Sequence, residues 1–153
     1  MARFGIVTAA KGRPELARCI ESIQDQKFSD FTHIVVGDGP LDHCYRDMCK
    51  VRNTFYYQTR IKMEGFGGAA RTVALQIFEQ LMPVDYVLIV DDDNTLFSTA
   101  LYELDKAAKD NPPLMFHDII FRNAFHPEWH IFSPRIPPEG AMWDALHMSL
   151  IHI

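Results

Sequence analysis

The chain has 153 residues, 48% of them hydrophobic and 23% charged, which fits one globular domain with a substantial core. With 15 basic against 20 acidic residues the net charge is −5, so nothing in the balance suggests a nucleic-acid partner or an anionic membrane surface. No stretch has the apolar length of a transmembrane helix, and three cysteines without a CxxC pair point to reduced core thiols in a cytoplasmic protein.

Residues 3–10 read as a buried strand, broken by Lys11-Gly12-Arg13-Pro14 before a helix with Pro14 at its favoured first position. Leu16, Cys19, Ile20 and Ile23 then recur at helical spacing. Phe31 to Val36 predict a second strand, closed by the turn Gly37-Asp38-Gly39-Pro40, so Asp38 stands at a strand's carboxyl end. Leu41 to Arg52 predict a short helix and Thr54 to Gln58 a third strand. The glycine-rich loop Gly65-Phe66-Gly67-Gly68 opens a helix through Val73, Ala74, Ile77, Phe78 and Leu81, and the free N–H groups of such a helix start favour anions.

Tyr86 to Val90 form an unbroken apolar run, the pattern of a strand buried on both faces, and Asp91-Asp92-Asp93 follow at its end. Leu101, Leu104 and Ala108 mark a further helix that Asn111-Pro112-Pro113 ends, and Leu114 to Phe121 predict another strand. Past Arg122 the pattern weakens: Pro127 to Pro138 read as a loop with one extended piece, WHIF, and Trp143 to Ile153 as mixed apolar sequence. Strands alternating with helices predict a single α/β domain over residues 1–153 with a mostly parallel sheet.

The acidic triplet is the centre of the functional argument. Adjacent carboxylates repel by about 1 kcal/mol per pair in water and about 4 kcal/mol at a protein-surface dielectric, so a bare cluster is costly. A divalent cation removes that cost, and carboxylate oxygens suit Mg²⁺ or Mn²⁺ that share their remaining positions with water and substrate phosphates. The triplet also stands where ligands bind in open α/β sheets, outside the carboxyl ends of strands. Asp38 can accept an imino N–H, which uracil and guanine carry and cytosine lacks.

Four segments in order resemble the family 2 glycosyltransferases of the GT-A fold, which use nucleotide-activated sugars: FGIVTAAKGRPELARCIESI, HIVVGDG, GGAAR and VLIVDDDN. The resemblance spans residue 3 to about 105 and implies a Rossmann-like three-layer α/β/α sandwich. Residues 3–121 would then form the nucleotide-sugar binding core and 122–153 a partial acceptor-side segment. It further implies that Asp91 contacts the ribose or the metal-bound diphosphate, that Asp93 ligates the cation, and that Asp92 is the variable middle position of the DxD motif. Asp38 matches the second acid of the base-recognition segment, with Gly37 in place of the first. Arg71 matches the arginine near the nucleotide, with Thr72 where asparagine is usual. Thr8, or Ala10 in another register, matches a threonine near the base.

The activity so implied is metal-dependent, inverting transfer of a sugar from a UDP- or GDP-sugar to a hydroxyl acceptor, saccharide or lipid-linked. Inversion needs a base to take the acceptor's proton. In the family that acid lies well downstream of DxD, in a region that AMWDALHMSLIHI resembles, and Asp144 is the acid this chain offers there; the resemblance implies a truncated chain. Alternatives stand beside it. GFGGAA fits the dinucleotide pattern GxGxxA of an NAD-binding oxidoreductase, but the charged Arg60-Ile-Lys-Met-Glu64 precedes it instead of a buried strand. A phosphoribosyltransferase would need a threonine-glycine turn where Asn94 to Ser98 stand. A non-catalytic nucleotide-sugar binding module needs no base at all. Among the seven histidines, His126 and His130 are four apart, but Pro127 opposes the helix that a zinc pair requires. Trp129 and Trp143 read as core residues or as an acceptor groove.

Overall fold

The computed structural model describes residues 1–62 and 67–110, and farther on the backbone of four short strands. Elements run β1 (Phe4–Ala10), α1 (Leu16–Gln24), β2 (Phe31–Gly37), α2 (His43–Met48), β3 (Thr54–Gln58), α3 (Gly68–Gln80), β4 (Tyr86–Ile89) and α4 (Ala100–Ala107). A 3₁₀ turn, Ala108–Asp110, ends α4, and β5 (Leu114–Met115), β6 (Ile119–Phe121), β7 (His130–Phe132) and β8 (Leu150–His152) follow.

Among the described residues the main sheet has the order β3-β2-β1-β4-β8-β5. Its first four strands are parallel, and β8 runs antiparallel between β4 and β5. Parallel neighbours need crossover helices, and alternation along the strands shows where these pack. On one face of β1, Phe4 and Ile6 meet Cys19 and Ile23 of α1 and Leu101 and Leu104 of α4. Ala10 and Val35 meet Leu16 and Ile20 of α1, with Tyr45 and Met48 of α2 packed alongside. Val7, Ala9, Ile34, Val36 and Val87 point the other way, onto Ala70, Ala74, Ile77 and Phe78 of α3. The result is three layers, with α1, α2 and α4 on one face and α3 on the other, as the resemblance implies. Contact on the α3 side is close, since a Cβ at Gly5 would lie 2.7 Å from the Phe78 ring.

Several expectations shift. Pro14 lies in the turn leading into α1, whose first residue is Leu16, and α2 covers only His43–Met48 of the expected 41–52. The single strand expected from Leu114 to Phe121 is two strands with different partners: β5 pairs with β8 in the main sheet, while β6 pairs with β7 in a separate antiparallel ribbon. Within WHIF, His130–Phe132 is indeed extended. The mixed apolar end contains β8, which covers the outer edge of β4.

Candidate functional site

From β1 the chain builds β2 and β3 outward on one side, and α3 then carries it across the opposite face to β4 on the other side of β1. The strand order turns back at β1, with β2 on one side and β4 on the other, and the crevice outside the carboxyl ends of such strands is where ligands bind in open α/β sheets. Lys11 to Arg13 leave β1 there, and Asp91-Asp92-Asp93 lie just past β4. Val90 still donates to the carbonyl of Val7, so the triplet starts directly above the last β1–β4 bond.

Each carboxylate of the triplet has its own partner. Arg71, in the first turn of α3, donates from Nη2 to Asp91 Oδ1 at 2.5 Å. Asp92 turns inward: its side chain is 4% exposed, and its Oδ2 accepts the Lys11 N–H at 2.8 Å. Burial is the main reason that its pKa lies above the ordinary carboxylate value. Asp93 pairs with Arg13 Nη1, which also lies 3.7 Å from Asp92 Oδ1. Two guanidinium groups therefore supply much of the counter-charge that three adjacent acids require, and the side chains of Asp91 and Asp93 remain 49% and 44% exposed.

Asp38 is anchored beside this crevice through its own N–H, which donates to the carbonyl of Ala10 at 2.9 Å, and the residue is only 4% exposed. The missing acid before it has a steric counterpart. A Cβ at Gly37 would lie 2.7 Å from the hydroxyl of Tyr56, so this chain has a phenol where a side chain at position 37 would begin. Gly67, with φ +79, starts α3 without a side-chain cap, and a Cβ there would lie 2.8 Å from that of Ala9. Only glycine brings the helix start so close to β1 in this left-handed conformation.

Arg71 is held firmly, yet incompletely satisfied. Its Nε is buried and, among the described residues, has no acceptor. A buried donor without a partner is rare in folded proteins, and beside a helix start it suits an anionic ligand.

Thr8 is not brought to this site. Its side chain is fully buried on the α1 face, where the hydroxyl lies 3.0 Å from His33 Nε2 and 3.9 Å from the Cys19 thiol. Ala10, its alternative, is buried too. Asp92 likewise serves the junction between β1 and β4 rather than the open crevice, because its carboxylate is committed to the Lys11 N–H. Asp144, Trp129, Trp143 and His126 lie outside the described residues, as do Gly65 and Phe66. Arg13 is the residue that sequence reasoning missed; its place in the loop after the first strand, at the carboxyl end of the sheet, was the available signal. The dinucleotide reading fares no better in the fold, since β3 ends at Gln58 and a charged connection precedes Gly68, the first residue of α3.

The model of Glycosyl transferase family 2 matches residues 6–148. No curated protein sequence matches the chain. Among solved structures, S. aureus TarS 1-349 superposes with a TM-score of 0.64 at 21% identity, covering 73% of this chain and 34% of that one. The same protein in complex with UDP-GlcNAc gives 0.64 and 21% over 73% of this chain and 33% of that one. Mannosyltransferase PcManGT from Pyrobaculum calidifontis, in complex with GDP-Man and Mn²⁺, gives 0.50 at 16% over 61% and 28%. The chain thus spans about a third of the length of these structures, and at such identity the likeness is one of fold.

Proposed function

Because the chain belongs to glycosyl transferase family 2, we propose that it binds a UDP- or GDP-sugar together with Mn²⁺ or Mg²⁺ and serves transfer of the sugar, with inversion, to a hydroxyl on a saccharide or lipid-linked acceptor. The observation that carries this reading is the buried Nε of Arg71 beside Asp91 at the start of α3, which has no partner among the described residues. A diphosphate supplies the acceptor oxygens that this guanidinium lacks. Asp38, on the far side of β1, is the group for the base; its carboxylate selects an imino N–H and so favours uracil or guanine over cytosine.

The residues suit a hard divalent cation. The side chains of Asp91 and Asp93 are about half exposed, and a cation held by one or two carboxylates takes its remaining ligands from phosphates and waters. Asp93, with Asp91, would hold the cation, whose chemistry at this place is to stabilise charge on the departing diphosphate. TarS bound to UDP-GlcNAc and PcManGT bound to GDP-Man and Mn²⁺ support the ligand class. In this reading residues 3–121 are the donor-binding core and 122–153 belong to the acceptor side, with Asp144 as the candidate base. No described helix is long and apolar enough to cross a membrane.

Calorimetry with UDP, GDP and NAD, with and without Mn²⁺, tests the reading on wild type and Asp93→Ala. UDP or GDP should bind more tightly with Mn²⁺, and Asp93→Ala should lose that gain. Preference for NAD, or metal-independent binding unaltered in the variant, would refute it. Turnover of a labelled donor separates transfer from binding alone.

A further inference from the structure

Arg13 occupies the carboxylate assigned to the cation. Its Nη1 pairs with Asp93 Oδ2 and lies near Asp92 Oδ1. Arg71 approaches from the opposite side, out of α3, and pairs with Asp91. The two arginines differ in how they are held. Arg71 is 25% exposed, whereas the side chains of Arg13 and Asp93 are 42% and 44% exposed, so water screens their pair and weakens it. Arg13 also stands in a loop rather than on a helix.

A guanidinium and a divalent cation on the same carboxylate repel one another. Resting on the donor-site reading above, we propose that Arg13 is an exchangeable counter-ion: it neutralises Asp93 in the free protein and leaves it for the diphosphate when a nucleotide and a divalent cation bind together. The exchange conserves charge pairing throughout. Asp93 passes from a guanidinium to the cation, and the guanidinium passes from a carboxylate to phosphate oxygens, which its planar fork of N–H donors fits equally well. Its consequence is a coupling between cation and nucleotide that exceeds their direct chelation of each other. The cation alone must displace Arg13 without compensation; with the diphosphate present, the displaced side chain gains a partner.

The test measures Mn²⁺ affinity from the paramagnetic signal of the free ion, with and without UDP, in wild type, Arg13→Gln and Asp93→Asn. Arg13→Gln should bind Mn²⁺ alone about two- to fivefold more tightly, the range expected on removing an exposed ion-pair competitor. The factor by which UDP raises Mn²⁺ affinity should fall about fivefold or more, because a charge-assisted contact is lost only in the ternary complex. Unchanged or weaker Mn²⁺ binding by Arg13→Gln without UDP, or an unchanged UDP factor, would overturn the exchange. A merely structural Arg13 would shift both affinities together and leave their ratio as it was. Asp93→Asn separates the two levels: if it binds Mn²⁺ as wild type does, the assignment of Asp93 to the cation fails and the exchange fails with it, whereas loss of binding there with no effect of Arg13→Gln refutes the exchange alone.

Discussion

Lowering the pH from about 8 to about 5 should destabilise this fold through one side chain, His33. The residue lies in the centre of β2 with no solvent exposure, and its Nε2 shares a hydrogen bond with the Thr8 hydroxyl while Nδ1 has no partner among the described residues. Burial pushes its pKa down from 6.5 to about 3. The folded protein therefore keeps it neutral at a pH where the unfolded chain takes up a proton. Stability is fully present above pH 6.5 and is lost as the pH falls towards 3, with a slope of about 1.36 kcal/mol per pH unit. Between about pH 8 and 5 the loss comes to ~2 kcal/mol, and it hardly depends on the folded value, because at pH 5 the buried ring is neutral whether that value is 3 or 4. Urea denaturation at several pH values measures it, with His33→Leu as the reference. The variant loses the Thr8 contact at every pH, a constant offset, but it should lack the slope. Asp92, whose pKa is raised mainly by burial, gains stability on protonation and so works in the opposite direction; it is present in both proteins and drops out of the difference. Equal slopes in the two proteins would refute the reasoning and show that His33 is hydrated or charged in the fold.

Three further perturbations address the site. Asp92→Ala should cost about 1–3 kcal/mol in urea denaturation by leaving the Lys11 N–H without its acceptor, and a variant as stable as wild type would contradict that structural role. Gly67→Ala should destabilise by about 2 kcal/mol or more, since it combines a left-handed backbone with a 2.8 Å approach to Ala9; calorimetry should show UDP binding weakened as α3 moves off β1. Gly37→Ala should destabilise by about 1–3 kcal/mol against the Tyr56 hydroxyl. Adding Tyr56→Phe should return part of that loss, and strictly additive effects in the double mutant would exclude the contact.

The sequence carried the parallel half of the molecule well, because strands buried on both faces read as unbroken apolar runs: Phe4 to Ala10 and Phe31 to Val36 form strands, the run Tyr86 to Val90 does so as far as Ile89, and the helices between them show in the spacing of residues such as Leu16, Cys19, Ile20 and Ile23. It could not tell that Leu114 and Ile119 belong to different sheets, since the pattern of a short strand records burial and not partner. Nor could it find β8, three residues whose role is set by an edge formed more than sixty positions earlier. At the site the acids and Arg71 were legible from their place at strand and helix ends. The inward turn of Asp92 and the pairing of Arg13 were not, because both depend on how closely the loop after β1 approaches the end of β4. The placement of Thr8 was hidden for a related reason: in a strand buried on both faces a hydroxyl has no solvent side, and its partner is His33.

The insertion of β8 between β4 and β5 has a bearing on synthesis. β1 to β4 and α3, with every described group of the crevice, are complete before residue 100, but the outer edge of β4 waits for Leu150–His152. A nascent chain that has emerged only as far as α4 thus carries a site in outline and an apolar strand, Tyr86–Ile89, with one row of N–H and C=O groups unpaired. Such an edge is a template for another chain. The interval between translating β4 and translating β8 is then the period in which this protein is most exposed to aggregation, and slowing the ribosome in that interval should lower its soluble yield.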